Sequence, residues 1–98
     1  MNMSQLDSQG QLVEERIGTG RYALVIYDND HVARDLVVCL LMLHTACSYE
    51  EAEIETWEAE QYGKAAVHFG TQAECQEIGG HFLEAGVAVS VEPEWGDK

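Results

Sequence analysis

The chain has 98 residues, 46% of them hydrophobic, which is enough for one small domain with a single core and leaves no room for a second. Eighteen Asp and Glu face five Lys and Arg, a formal charge of −13, so nucleic acid and anionic membrane surfaces are excluded as direct partners while cationic groups on proteins are attracted. Cys39, Cys47 and Cys75 are odd in number and lack a C-x-x-C, which points to reduced thiols in a cytoplasmic protein.

Residues 1–20 are polar and carry little to bury, so they read as a mobile tail, with a short helix over 11–17 as the rival. The first twelve residues have no basic cluster and no long apolar core, so no secretory signal is expected. Residues 21–93 read as the folded domain. A β-rich run over 22–27 is the first strand, and Asp28 to Asp30 turn the chain, with Asp30 as the candidate N-cap of a helix over 32–45. That helix is apolar nearly all round, which suggests a buried central element, yet its apolar run over 36–43 is far short of the ~20 residues that cross a membrane.

Ser48-Tyr49-Glu50-Glu51 is a capping box and opens a second helix, to about Gln61. Tyr49, Ala52, Thr56 and Ala59 form its expected buried stripe, with Ile54 and Trp57 flanking. Its six glutamates are either a solvated face or a docking surface for a basic partner. Gly63 suits the left-handed position that ends it. A second strand follows over 65–69. Thr71-Gln72-Ala73-Glu74 is another capping box, for a helix to about Ala85 with Cys75, Ile78, Phe82 and Ala85 in register. Gly86 ends that helix, residues 87–92 alternate as a third strand, and Pro93 is expected to stop it. Residues 94–98, with Trp95, read as a loose end. The expected fold is α+β, in the order β-α-α-β-α-β.

The Asp28-Asn29-Asp30 turn is where chemistry is to be sought. A strand running into D-x-D resembles the nucleophile loop of haloacid-dehalogenase-type phosphatases, but a 98-residue chain with one internal Lys lacks the larger sheet and the distal acidic pair those enzymes need. A calcium loop counted from Asp28 fails, because its sixth and twelfth positions fall on Ala33 and Cys39. For zinc, His44 and Cys47 stand in H-x-x-C spacing without a second pair; His31, His68 and His81 are scattered. No metal or cofactor is expected. Two readings of the turn remain: a local turn that starts the helix, or a ring of oxygens that holds an ammonium group by charge-assisted hydrogen bonds.

Taken in order, the strand leading into DND, the apolar helix, SYEEA, YGKAAV, TQAE and the closing VAVSVEP resemble the ClpS family of adaptors of ATP-dependent Clp proteases. The likeness covers about residues 21–93. It implies a small α/β sandwich, a three-stranded antiparallel sheet with three helices, and a non-enzymatic protein. Such an adaptor binds the N-terminal residue of a protein substrate and delivers it to a AAA+ unfoldase of the ClpA or ClpC type. An alternative is a domain that docks the unfoldase without binding an N-degron. By resemblance, Asp28 and Asn29 would hold the substrate's α-amino group beside Asp30, and Val32, Val37, Ala59 and Val87 would line an apolar pocket. The family's N-D-D reads here D-N-D. Arg34 and Thr56 stand where the family carries Met, and Glu60 replaces the His that helps bind the amine. Arg34 would either pair with Glu60 or Asp28 and close the pocket, or select a polar or acidic first residue. Glu74 falls where the family contacts the unfoldase.

Overall fold

The structure, a computed structural model, describes residues 21–94 and, before them, two short strands, β1 (Gln5–Asp7) and β2 (Gly10–Gln11), that pair antiparallel. The rest of the expected tail, the rival helix over 11–17 and Trp95 lie outside the described residues. The remaining elements are β3 (Tyr22–Tyr27), α1 (Arg34–Thr45), α2 (Tyr49–Tyr62), β4 (Lys64–Gly70), α3 (Gln72–Glu84) and β5 (Val89–Pro93). Strands β4, β3 and β5 form one antiparallel sheet in that order, so the expected α+β fold with a three-stranded sheet and three helices is the observed one.

Strand β3 is the middle strand because it is apolar on both faces. Leu24 and Ile26 are buried in the main core, and Ala23 and Val25, which alternate with them, are buried as well. The core joins Leu24 and Ile26 to Val37, Val38 and Leu41 of α1, Ala52 and Ala59 of α2, Val67 of β4, and Cys75 and Phe82 of α3. Fully burying a side chain such as Leu41 or Phe82 stabilises by about 1.5–3 kcal/mol. Gly79 lets α3 come close to the sheet: a Cβ there would stand 3.1 Å from Leu24 Cδ1 and 3.2 Å from Val89 Cγ2.

Local signals in the sequence set most boundaries. The Ser48 capping box is complete, and Gly63 ends α2 in the left-handed region at φ 88°. Thr71 caps α3 by accepting from the Glu74 backbone N–H, but the Glu74 carboxylate faces His68 instead of closing the box. Gly86, at φ 96°, follows α3.

Four expectations are corrected. Helix α1 begins at Arg34, two residues late, and Asp30 does not cap it; the N-cap is Ala33, without a side-chain bond. Asn29 organises the turn instead, its Oδ1 accepting from the backbone N–H groups of His31 (2.9 Å) and Val32 (2.7 Å). Helix α1 is not buried all round: Val37, Val38 and Leu41 face the core, whereas Leu36, Met42 and Leu43 are exposed, because a helix lying on a sheet covers one stripe only. Tyr49 is likewise exposed, leaving Ala52, Thr56 and Ala59 as the buried stripe of α2. Finally, β5 starts at Val89 and runs through Pro93, which pairs with Tyr22. Val87 is tied to the end of α3 by its N–H to the Phe82 carbonyl. Pro93 fits because β5 is an edge strand: the Glu94 N–H donates to the Arg21 carbonyl, so the Pro93 nitrogen points away from the ladder.

Candidate functional site

Strand β3 delivers the chain to the D-N-D turn at a fixed point. The Tyr27 N–H donates to the Ala88 carbonyl, and the Asp28 N–H donates to the Gly63 carbonyl at the end of α2. The exit of β3, the last turn of α2 and the α3–β5 connection therefore meet, and α1 closes the fourth side. Between them lies a cavity of about 50 Å³. Its apolar lining comes from Ile26, Val32, Val37, Ala59 and Val87, and its polar lining from Tyr27, Asp28, Asn29, Arg34, Thr56 and Glu60.

Nine of the ten substrate-site residues picked out in the sequence are thus brought to one cavity. Asp30 is not: it lies outside the lining, its side chain is 96% exposed, and it faces His31. Besides Arg34 and Glu60, which pair with each other, two of the nine have a polar atom in use. The Asn29 oxygen already accepts two backbone N–H groups, and the Thr56 hydroxyl donates to the Ala52 carbonyl at 2.7 Å. The carboxylates that line the cavity are those of Asp28 and Glu60, against the single guanidinium of Arg34.

Arg34 is held across the α1–α2 interface. Its Nε meets Glu60 Oε2 at 3.1 Å, its Nη1 meets Glu53 Oε1 at 2.7 Å, and its Nη2 reaches the Glu53 carbonyl at 3.4 Å. Asp28 is not a partner of Arg34 in this arrangement. Glu53 has no counterpart among the residues singled out from the sequence. Its signal was its place on the same face of α2 as Glu60, two turns earlier, so that a cation on a neighbouring helix can bridge both. The Glu53 carboxyl is held below its usual value, first by a hydrogen bond from the Tyr49 hydroxyl and then by Arg34. Tyr49 is raised by the same bond, and Arg34 is raised chiefly by Glu53.

The other glutamates of α2 differ from these. Glu55 has one carboxylate oxygen covered and without a hydrogen-bond partner in the protein, and its pKa is pushed up to about 7, by burial first and by Glu51 and Glu58 after it.

Glu74 lies elsewhere, beside a second and wider cleft of about 310 Å³ between α1, β4 and α3. The His44 and His81 rings stack there at 4.1 Å. His68 Nε2 is covered and has no hydrogen-bond partner in the protein; Glu74 Oε1 is 3.6 Å away. The H-x-x-C pair is dispersed, with His44 on His81 and Cys47 packed against the core. Among the described residues no cluster of His, Cys, Asp or Glu is arranged to hold a metal ion, and all three cysteines are free. Among the same residues no helix is long and apolar enough to cross a membrane.

Residues 19–79 match the family model of the ATP-dependent Clp protease adaptor protein ClpS. Among solved structures, the chain is similar to Agrobacterium tumefaciens ClpS2 bound to L-phenylalaninamide, with 21% identity and a TM-score of 0.67 over 76% of this chain and 96% of that one. That likeness is one of fold. No curated protein matches the chain. The family match spans more than half of the chain and contains the D-N-D turn, both helices that clasp Arg34 and Glu74. The chain belongs to the ClpS family of Clp protease adaptors, proteins that bind other proteins and are not themselves enzymes.

Proposed function

We propose that this adaptor binds the N-terminal residue of a protein substrate in the cavity beside the D-N-D turn and delivers it, in the cytoplasm, to a AAA+ Clp unfoldase of the ClpA or ClpC type. The observation that carries this reading is the make-up of the cavity: an apolar interior with Asp28 and Glu60 lining it against one guanidinium. Such a site is matched to a ligand with a cationic head and an apolar side chain, which is what a free N-terminal residue presents. The ligand of the Agrobacterium relative, an amino-acid amide, has the same two parts.

In this reading Asp28 and Glu60 accept from the α-ammonium, each by a charge-assisted hydrogen bond worth roughly 1.5–3 kcal/mol when shielded from water. Asn29 shapes the turn, because its oxygen is already engaged. Val32, Val37, Ala59, Thr56 and Val87 surround the first side chain. Glu74, on the separate cleft, is the proposed contact to the unfoldase.

Fluorescence anisotropy with peptides of varied first residue, each with a free and an acetylated N-terminus, tests the reading. Acetylation removes the charge and is expected to abolish binding. Peptides that bind equally well when acetylated would sink the amine site. The Arg34 clasp favours a second reading, in which the pocket is closed and only unfoldase docking persists. That reading predicts binding to an unfoldase N-terminal domain, weakened by Glu74→Ala, with no affinity for any peptide of the panel.

A further inference from the structure

We infer that the bridge from Arg34 to Glu53 and Glu60 acts as a latch that sets the size of the accepted residue, and that this adaptor takes N-terminal residues with small side chains, no larger than valine. The inference rests on the amine-binding reading above and names its substrate class.

Three observations support it. The first is volume. The cavity measures about 50 Å³, and a water-sized group needs ~10–15 Å³ of such space, so about four fit: the α-amino nitrogen beside Asp28 and Glu60, and about three side-chain atoms. Cavities that take up a benzene ring measure roughly 150 Å³. Alanine, serine, cysteine, threonine and valine carry one to three heavy atoms beyond the α-carbon and fit the space as it stands; phenylalanine, tyrosine and tryptophan do not.

The second is the way the boundary is held. Arg34 lines the cavity, and three of its nitrogens are tied to α2: Nε to Glu60, Nη1 to the Glu53 carboxylate and Nη2 to the Glu53 carbonyl. A planar guanidinium fixed at three points is oriented as well as placed. Admitting a larger side chain requires Arg34 to leave both glutamates. The Arg34 and Glu60 side chains are each 37% exposed and that of Glu53 is 32% exposed, so water softens the latch, and it discriminates between ligands rather than excluding all of them.

The third is charge. Arg34 already faces two carboxylates, and Asp28 lines the same cavity. The local balance is negative, so an acidic first residue is repelled while the α-ammonium is attracted. Arg34 therefore does not select an acidic residue; its charge is matched within the protein.

The test uses the full chain, with the Glu53→Gln and Arg34→Met variants, and peptides beginning with Ala, Ser, Val, Leu, Phe or Asp, each with and without N-acetylation. The wild type is expected to bind the Ala, Ser and Val peptides at least roughly tenfold more tightly than the Phe peptide, the scale on which pockets discriminate by size. Arg34→Met is expected to reverse that order, and Glu53→Gln to narrow it while amine dependence persists. If the wild type binds the Phe peptide as tightly as the Ala peptide, with both lost on acetylation, the latch is overturned and the amine site stands. The same holds if neither substitution changes the order. If the wild type binds no peptide but Arg34→Met binds Phe, the small-residue class is overturned. If none of the three proteins shows acetylation-sensitive binding, the amine-binding reading fails and this inference fails with it.

Discussion

The two clefts of this molecule handle polarity in opposite ways. Around the smaller one, polar groups find partners inside the protein: Arg34 meets Glu53 and Glu60, and Asn29 meets two backbone N–H groups. Along the wider one, His44 and His81 lie face to face, and His68 Nε2 has no hydrogen-bond partner in the protein. Yet α1 is common to both, giving Arg34 and Val37 to one and Leu43 and His44 to the other. One rigid helix can thus serve a closely fitted pocket at its start and a loose cleft at its end, because the two are set by what faces it: the glutamates of α2 or the imidazoles of β4 and α3.

The strongest way to break this comparison is to remove the shared anchor. Leu41 is fully buried beneath α1, so Leu41→Ala is expected to cost about 2–5 kcal/mol and to impair both clefts together. Urea unfolding measures the loss, and a cost below about 1 kcal/mol would mean that α1 is not seated as described.

Gly79→Ala sharpens the comparison by acting on one side. Its Cβ would press on Leu24 and Val89, which belong to the packed sheet and cannot yield freely. A loss of about 1–3 kcal/mol is expected, with α3 displaced and the wide cleft altered. Peptide affinity at the D-N-D cavity should stay within about twofold at temperatures where the variant is folded, since 0.4 kcal/mol is the scale of that ratio.

The smallest effect touches neither cleft. The Glu55 carboxyl rises from 4.5 to about 7 in the folded chain, so the folded state keeps a proton that the unfolded state has released. Stability from this group is fully present below pH 4.5 and declines as pH rises toward 7. Glu55→Gln is expected to flatten that decline and to stabilise the protein at pH 8 by about 1 kcal/mol, discounted because the side chain is only half-buried. Thermal unfolding at pH 5 and pH 8 measures it; a variant less stable than wild type at pH 8 would overturn the account.

What could be read in the sequence was local. Ser48, Gly63, Thr71 and Gly86 mark helix ends through bonds within a few residues, and each is found where expected. The family resemblance drew nine residues to a single cavity, although they are spread from Asp28 to Val87. What escaped was non-local or degenerate. Asn29 and Asp30 are equally good turn formers by residue type, and only the geometry shows that Asn29 accepts the bonds. Glu53 looks like any glutamate on an acidic helix until Arg34, 19 positions earlier, reaches it. The one-sided burial of α1 is not legible either, because apolar content does not tell which stripe meets the sheet.

That exposed stripe has a further consequence. Leu36 and Leu43 on α1, and Ile54 and Trp57 on α2, leave large apolar groups in water, on a chain with a formal charge of −13. Contact between such groups on two molecules brings two strongly anionic bodies together, and that repulsion acts over a Debye length of about 10 Å at 0.1 M salt but only ~3 Å at 1 M. The excess carboxylates therefore oppose contact between these apolar groups at low salt and oppose it less as ionic strength rises, a colloidal effect added to whatever the fold dictates.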